Sequence, residues 1–262
     1  GGIVDPDRIT EFTVMGAILA SVIWVLGATR FAFPVSVSHS LVASLVGAGL
    51  ATAGVASIKV GGVAKVLIAL AVSPLLGFFF AFAAMVGLYW LVRRASPSAV
   101  RVWFTPLQVL AGAFMSYSHG KNDGQNSIGI IALAATYYYG RGELIIDLWM
   151  VLLSGLAIAI GTASGGWSVI RTLGMRLTKL EPIHGFAASM AGATVIEAAS
   201  QIGLPVSTTH TMSGSIMGVG ATQRLSAVRW GVTRSIALAW LVTYPVCFVL
   251  GFIISSLLKV VF

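Results

Sequence analysis

One polar cluster occurs twice in this chain, each time inside strongly apolar sequence. Pro34-Val-Ser-Val-Ser-His39, followed by Ser44, Gly47 and Gly49, returns 171 residues later as Pro205-Val-Ser-Thr-Thr-His210, followed by Ser215, Gly218 and Gly220. The same offset carries Pro74 onto Pro245 without a gap. A fixed internal period means one structural unit built twice. Any fold for this chain must therefore place two sets of hydroxyls and an imidazole within hydrophobic surroundings.

Composition says what those surroundings are. Hydrophobic residues make up 57% of the chain and charged residues 9%, against about 25% charged in soluble domains. The apolar runs around residues 18–28, 66–92, 102–116, 128–139, 144–162, 186–199 and 236–262 include several near the ~20 residues that ~30 Å of hydrocarbon requires. The expected class is an all-α integral membrane protein, a multi-span helical bundle in a lipid bilayer. The net charge of +8 does not indicate nucleic acid, because no basic and aromatic soluble module accompanies it. Its Lys and Arg residues cluster between the runs, at Arg93, Arg94 and Arg101, at Arg171, Arg176 and Lys179, and at Arg224, Arg229 and Arg234. Short basic loops stay cytoplasmic, which places the protein in a cell (inner or plasma) membrane as a multi-pass chain. Cys247 is the sole cysteine, so an internal disulfide and a Cys-based metal cluster are excluded. The polar start, Gly1 to Arg8, carries no cleavable signal peptide pattern and no initiator Met.

The three basic loops also give direction. With each of them inside, the run holding Pro74 travels inward and the run holding Pro245 travels outward. Residues 1–92 then form the later part of a first repeat and 93–262 a second repeat of opposite orientation. Inverted repeats with a site at their interface are the signature of secondary transporters. Residues 102–139 do not fit a simple span, since one straight helix of 38 positions would run ~57 Å. Their middle, Ser116 to Ser127, is polar, and the expectation is a broken or re-entrant element with backbone freedom at Gly120 and Gly124. On the 171-residue offset, the counterpart of His119 would precede residue 1. The chain reads as a fragment lacking at least about 70 residues of its first repeat, and as given it is expected not to transport.

Two groups of side chains carry chemistry. Ser207, Thr208 and Thr209 precede a small-residue stretch and read as a helix start, where free N–H groups and the dipole favour anions. The alternative is a polar cap that merely lets helices pack closely. Asn122, Asp123 and Gln125 offer hard oxygen ligands for Na⁺, and Asp123 could equally accept a proton. An ionisable residue at depth is by default functional, the alternative being a helix cap or a pair with Lys121. His39 and His210 follow the hydroxyl clusters as substrate contacts or structural residues. His184 and Glu197 are expected near solvent, and Tyr137 to Tyr139 as an interfacial anchor.

These residues resemble the inorganic phosphate transporter (PiT) family, whose hallmarks are a Gly-x-Asn-Asp and a Pro-x-Ser-Thr-Thr-His segment in each half. The resemblance rests on Gly120-Lys-Asn-Asp-Gly-Gln125, Gly165-Gly-Trp167, Arg171 to Met175, and Gly218-Val-Gly-Ala221 with the run on to Gly231. It implies symport of inorganic phosphate with a cation. It implies that Ser36, Ser38, Ser207, Thr208 and Thr209 bind phosphate, and that Asn122 and Asp123 serve the coupling ion or the substrate. The chain departs from the family in three places. Val37 stands where Thr is frequent, Ser189 where Glu is frequent, and the first-half Asn-Asp segment is missing.

The expected function is secondary active uptake of phosphate, or of metal–phosphate, with H⁺ or Na⁺. No cofactor and no resident metal are expected, and oligomeric state is open, a homodimer included. Sulfate or thiosulfate permeation on the same scaffold is the nearest alternative. An intramembrane hydrolase built from Ser207, His210 and Asp123 is remote, since no Gly-x-Ser-x-Gly elbow exists and a triad gives no reason for an inverted duplicate.

Overall fold

The computed structural model describes residues 2–140, 143–204 and 206–261, so Pro205 of the second cluster lies outside the described residues. Among these the chain is all-α, with one isolated bridge between Val4 and Ile58. Its helices are α1 (Glu11–Arg30), α2 (Val37–Ala53), α3 (Val60–Val92), α4 (Pro97–Tyr138), α5 (Leu148–Ser164), α6 (Trp167–Arg171), α7 (Pro182–Gln201), α8 (Thr208–Gln223) and α9 (Trp230–Val261). Helices α1, α3 and α9 are long and apolar enough to cross a membrane, and α5 with the bent segment to Arg176 makes a fourth if the pair is one span. The exposed faces of these helices carry Leu26, Phe79, Leu152 and Val249, the pattern of a protein solvated by lipid.

The 171-residue offset reaches into the secondary structure. Shifted by it, α1 coincides with α7 end to end, α2 starts where α8 starts, and α3 starts one residue past the start of α9. The turns match as well. After α1, Phe33 N–H donates to the Ala28 carbonyl, and after α7, Leu204 N–H donates to the Ala199 carbonyl, both at 2.9 Å. Ala32 and Gly203 are the left-handed residues of those turns.

Two compact units cut across the ranges 1–92 and 93–262. Unit one comprises residues 1–67, 123–166 and 238–262; unit two comprises 68–122 and 167–237. In unit one α1 packs on α2, and Val14, Ala17, Leu45, Ala48 and Leu133 form its core with Val4 and Ile9. In unit two α7 packs on α8, and Ile196, Ala199 and Val206 are covered by Met115 and Leu204.

The long helices are exchanged between repeats. In unit one α2 meets α9: a Cβ on Gly47 would overlap the Phe248 carbonyl, and one on Gly251 the Ser44 carbonyl. In unit two α8 meets α3: Gly214 abuts the Pro74 carbonyl, Gly218 the Phe78 carbonyl and Gly77 the Thr211 carbonyl. Small residues at four-residue spacing, Gly214 and Gly218 on α8, permit this approach to Pro74 and Phe78 on α3. Each cluster-bearing helix thus packs on the proline-bearing helix from the other copy of the 171-residue pattern.

Three expectations are corrected. Residues 116–127 do not break, because α4 is one continuous helix of 42 residues. Its polar side chains are met by neighbours rather than by unwinding: Lys121 by Glu197, Asn122 by the Val206 carbonyl, and Asn126 by Ser38. The sharp break falls instead between α5 and α6, a 63° bend at Gly165 and Gly166, the latter with φ of +83°. His184 is buried rather than near solvent, its Nε2 2.9 Å from the Tyr89 hydroxyl and its Nδ1 accepting the Glu181 N–H at 3.0 Å. Glu197 is half-buried and paired with Lys121. Helices α2 and α8, at 17 and 16 residues, fall short of the ~20 residues of a full span. A hairpin that enters and returns leaves the chain on the same side as one that crosses twice, so the order of the basic loops is unaffected.

Candidate functional site

The hydroxyl clusters form helix N-termini, as their sequence predicts. Ser36 is the N-cap of α2, extended at φ −91° and ψ 119°, and its Oγ accepts the His39 N–H at 3.3 Å. Ser207 is the N-cap of α8 at φ −89° and ψ 121°, and its Oγ accepts the His210 N–H at 3.2 Å. Each carbonyl accepts a hydroxyl one turn on, Ser40 at 2.8 Å in the first cluster and Thr211 at 2.9 Å in the second. One lone pair of each serine is thereby fixed on the backbone, which orients the hydroxyl.

In unit one the first cap is held from two sides. Trp240 Nε1 donates to the Pro34 carbonyl at 2.9 Å, and Asn126 Nδ2 donates to Ser38 Oγ at 2.8 Å. His39 is fully buried, with its ring 5.5 Å from that of Tyr244 on α9. Val37, between the two serines, is 46% exposed, so the position lacking a third hydroxyl is turned away from the buried polar group.

In unit two, Asn122 Nδ2 donates to the Val206 carbonyl at 3.2 Å, and Asn122 Oδ1 accepts from Ser200 Oγ at 3.4 Å. Asn122 therefore ties α4 to both helices of the α7–α8 hairpin. Ser207, Thr208 and His210 are buried and Thr209 half-buried. Asp123, the first α4 residue assigned to unit one, is half-buried, whereas Gln125 is exposed. Asn122 is thus joined to the second cluster. Gln125 makes no hydrogen bond to either cluster among the described residues, and the place beside the first is taken by Asn126. Asn126 and Ser200 are polar residues at the clusters that the motifs do not name, while Lys121, weighed as a partner of Asp123, pairs with Glu197 instead. The available signal was helical spacing: Asn122 and Asn126 are one turn apart on α4, and Glu197 and Ser200 nearly so on α7.

Each unit holds one helix N-terminus with an oriented hydroxyl, backed by an amide side chain, Asn126 in unit one and Asn122 in unit two. Such a terminus favours an anion through its N–H groups and partial positive charge. The model of the Phosphate transporter family matches residues 1–251. The chain belongs to the phosphate transporter family. It is 42% identical to a probable low-affinity inorganic phosphate transporter of Rhizobium meliloti (strain 1021), over 93% of this chain and 73% of that protein. It is 34% identical to a protein of the same description from Bacillus subtilis (strain 168), over 99% of this chain and 79% of that one. Among solved structures, one described as the sodium-dependent phosphate transporter superposes with a TM-score of 0.87 at 24% identity, covering all of this chain and 84% of the other. That likeness establishes a shared fold.

The family comprises transporters, so this protein is not an enzyme. The hydrolase reading falls with it, and the geometry agrees: Ser207 Oγ serves the main-chain N–H of His210 as a cap.

Proposed function

We propose that this protein is a multi-pass secondary symporter of the cell membrane that takes up inorganic phosphate together with H⁺ or Na⁺. The observation that carries this reading is the duplicated serine-capped helix start, at Ser36 and at Ser207. Near neutral pH phosphate is largely a dianion, and dehydrating it in a low-dielectric interior is prohibitive without compensating charge. Helix N-termini and hydroxyls compensate part of this without placing formal charge in the membrane. Ser36, Ser38, Ser207, Thr208 and Thr209 are the proposed phosphate ligands.

A co-transported cation supplies the rest of the compensation and the driving gradient. Asp123 is its proposed carboxylate, as a Na⁺ ligand or a proton acceptor, with Asn122 and Gln125 as neutral oxygen donors. A phosphate that already carries a metal ion would fit the same electrostatic logic. The matched helices at the 171-residue offset and the exchange of α3 and α9 between the cluster-bearing helices support two repeats of opposite orientation. Access would alternate by motion of one bundle against another.

The test is uptake of labelled phosphate by the full-length protein in proteoliposomes under imposed H⁺ or Na⁺ gradients, with sulfate as competitor. Gradient-driven accumulation of phosphate that excess sulfate does not suppress is expected. Sulfate accumulation in its place would assign the protein to the oxyanion sibling.

A further inference from the structure

The strongest charge feature in the apolar part of unit two lies outside the residues just assigned. Lys121 Nζ stands 2.5 Å from Glu197 Oε1, with the side chains 35% and 20% exposed. Gln201 Nε2 reaches the same Oε1 at 3.4 Å. Glu197 Oε2 is buried and accepts no hydrogen bond among the described residues. Ionised pairs among membrane helices are rare and mark substrate or ion pathways. As mere structure this one is poorly made, because one of its two carboxylate oxygens is left unserved.

Its position is specific. Lys121 directly precedes Asn122, which holds the Val206 carbonyl next to the Ser207 cap. Glu197 is one turn before Ser200, which contacts the same Asn122. Along the antiparallel α7–α8 hairpin, a side chain on Gly192 would touch Met212 and Ser215, and Ile196 and Ala199 pack with Val206. Glu197 therefore falls at the level of Ser207 to Thr209. The lysine stem is flexible and its ammonium a movable point charge.

We infer that Lys121 and Glu197 form a counter-charge switch for the anion bound at the Ser207 helix start. In the empty site the ammonium rests on Glu197. An arriving phosphate dianion carries twice the charge of the carboxylate and draws the ammonium to itself. Glu197 is then released, so that the pairing of Lys121 with Glu197 is coupled to whether the anion is bound. Lys121 is a substrate ligand in this scheme and Glu197 a positioning residue. The inference rests on the phosphate reading above.

The two halves of the pair make opposite predictions. Glu197→Gln weakens the hold on Lys121, so KM for inorganic phosphate should fall at least threefold, with kcat falling as release slows. Lys121→Met removes the counter-charge, so KM should rise at least tenfold, and Lys121→Arg should stay within threefold of wild type. The double variant Lys121→Met with Glu197→Gln should keep the high KM of Lys121→Met. All are measured as labelled-phosphate uptake by the whole protein in proteoliposomes. A purely structural ion pair gives a different pattern: both single variants impaired and the double variant restored, because only a lone buried charge is harmful. That pattern overturns the switch, as does an unchanged KM in Glu197→Gln and the double variant. Should Lys121→Met fail to fold, those two variants decide alone. A wild-type protein that accumulates no phosphate overturns the transport reading and the switch together, and is recognised by needing no variant.

Discussion

Ala32 and Gly203 occupy the same place in two copies of one turn, with φ of +61° and +68°. They stand 171 residues apart, each after a helix-ending residue near φ −90°. A left-handed backbone strains an L side chain by roughly 1–2 kcal/mol, whereas glycine adopts it freely. Glycine loses about 0.5–1 kcal/mol through its more flexible unfolded chain, so strain relief wins by a small margin. Ala32→Gly should raise the thermal midpoint of the purified protein slightly, and Gly203→Ala should lower it by a similar small amount. A drop in Tm for Ala32→Gly would show that the first turn is not strained as its torsion implies.

Gly218 leaves no room for a methyl group against the Phe78 carbonyl, and Gly47 none against the Phe248 carbonyl. Backbone cannot yield as a side chain does, so overpacking of about 1–3 kcal/mol is expected. Gly218→Ala and Gly47→Ala should each lower Tm by several degrees. Gly112→Ala, where nothing lies within 4 Å, should be neutral or slightly stabilising. Equal midpoints for all three would mean the helices are not packed this closely.

Ser207 has two roles to separate, cap and anion ligand. Glycine in place of serine costs an N-cap only about a few tenths of a kcal/mol, yet it carries no hydroxyl. Ser207→Gly should therefore keep Tm near that of wild type while KM for phosphate rises. Ser207→Ala should lose about 1 kcal/mol of cap stability and raise KM, since a hydrogen bond to a charged group contributes ~1.5–3 kcal/mol. An unchanged KM in Ser207→Gly is the outcome that reduces this residue to a cap.

Asp123 is half-buried on α4, immediately after the Asn122 that holds the second cluster. Replacing it by asparagine preserves shape and removes the charge. Asp123→Asn in the full-length protein should abolish gradient-driven uptake with expression near that of wild type. Transport above half the wild-type rate would remove Asp123 from the coupling machinery.

The helix start at Ser207 was legible in sequence because a serine N-cap is a local signal, and the 171-residue offset carries the same signal to Ser36. The membrane class was legible because solvation by lipid is a property of composition. Helix α4 was misread at Ser116 to Ser127 because the expectation of a break assumed that polar side chains at depth must unwind the chain. Lys121, Asn122 and Asn126 instead find partners on α7, in the turn before α8, and on α2, contacts separated by 76 to 88 residues. No local pattern encodes such a partner. The burial of His184 failed to show for the same reason, since its cover, Tyr89, is 95 residues away.

The exchange of long helices has a consequence for how the protein is made. Helix α8 emerges when its partner α3 has long been synthesised, and it can dock at once. Helix α2 is complete at Ala53, but the surface it needs, around Phe248 and Gly251, arrives almost two hundred residues later. At ~5–20 residues per second of synthesis, that is a wait on the order of ten to forty seconds. Throughout it, the seam of Ser44 and Gly47 must be sheltered by lipid, by α1 or by the insertion machinery. The two copies of one motif therefore face unequal risks during biogenesis, and the earlier copy is the one exposed to misassembly.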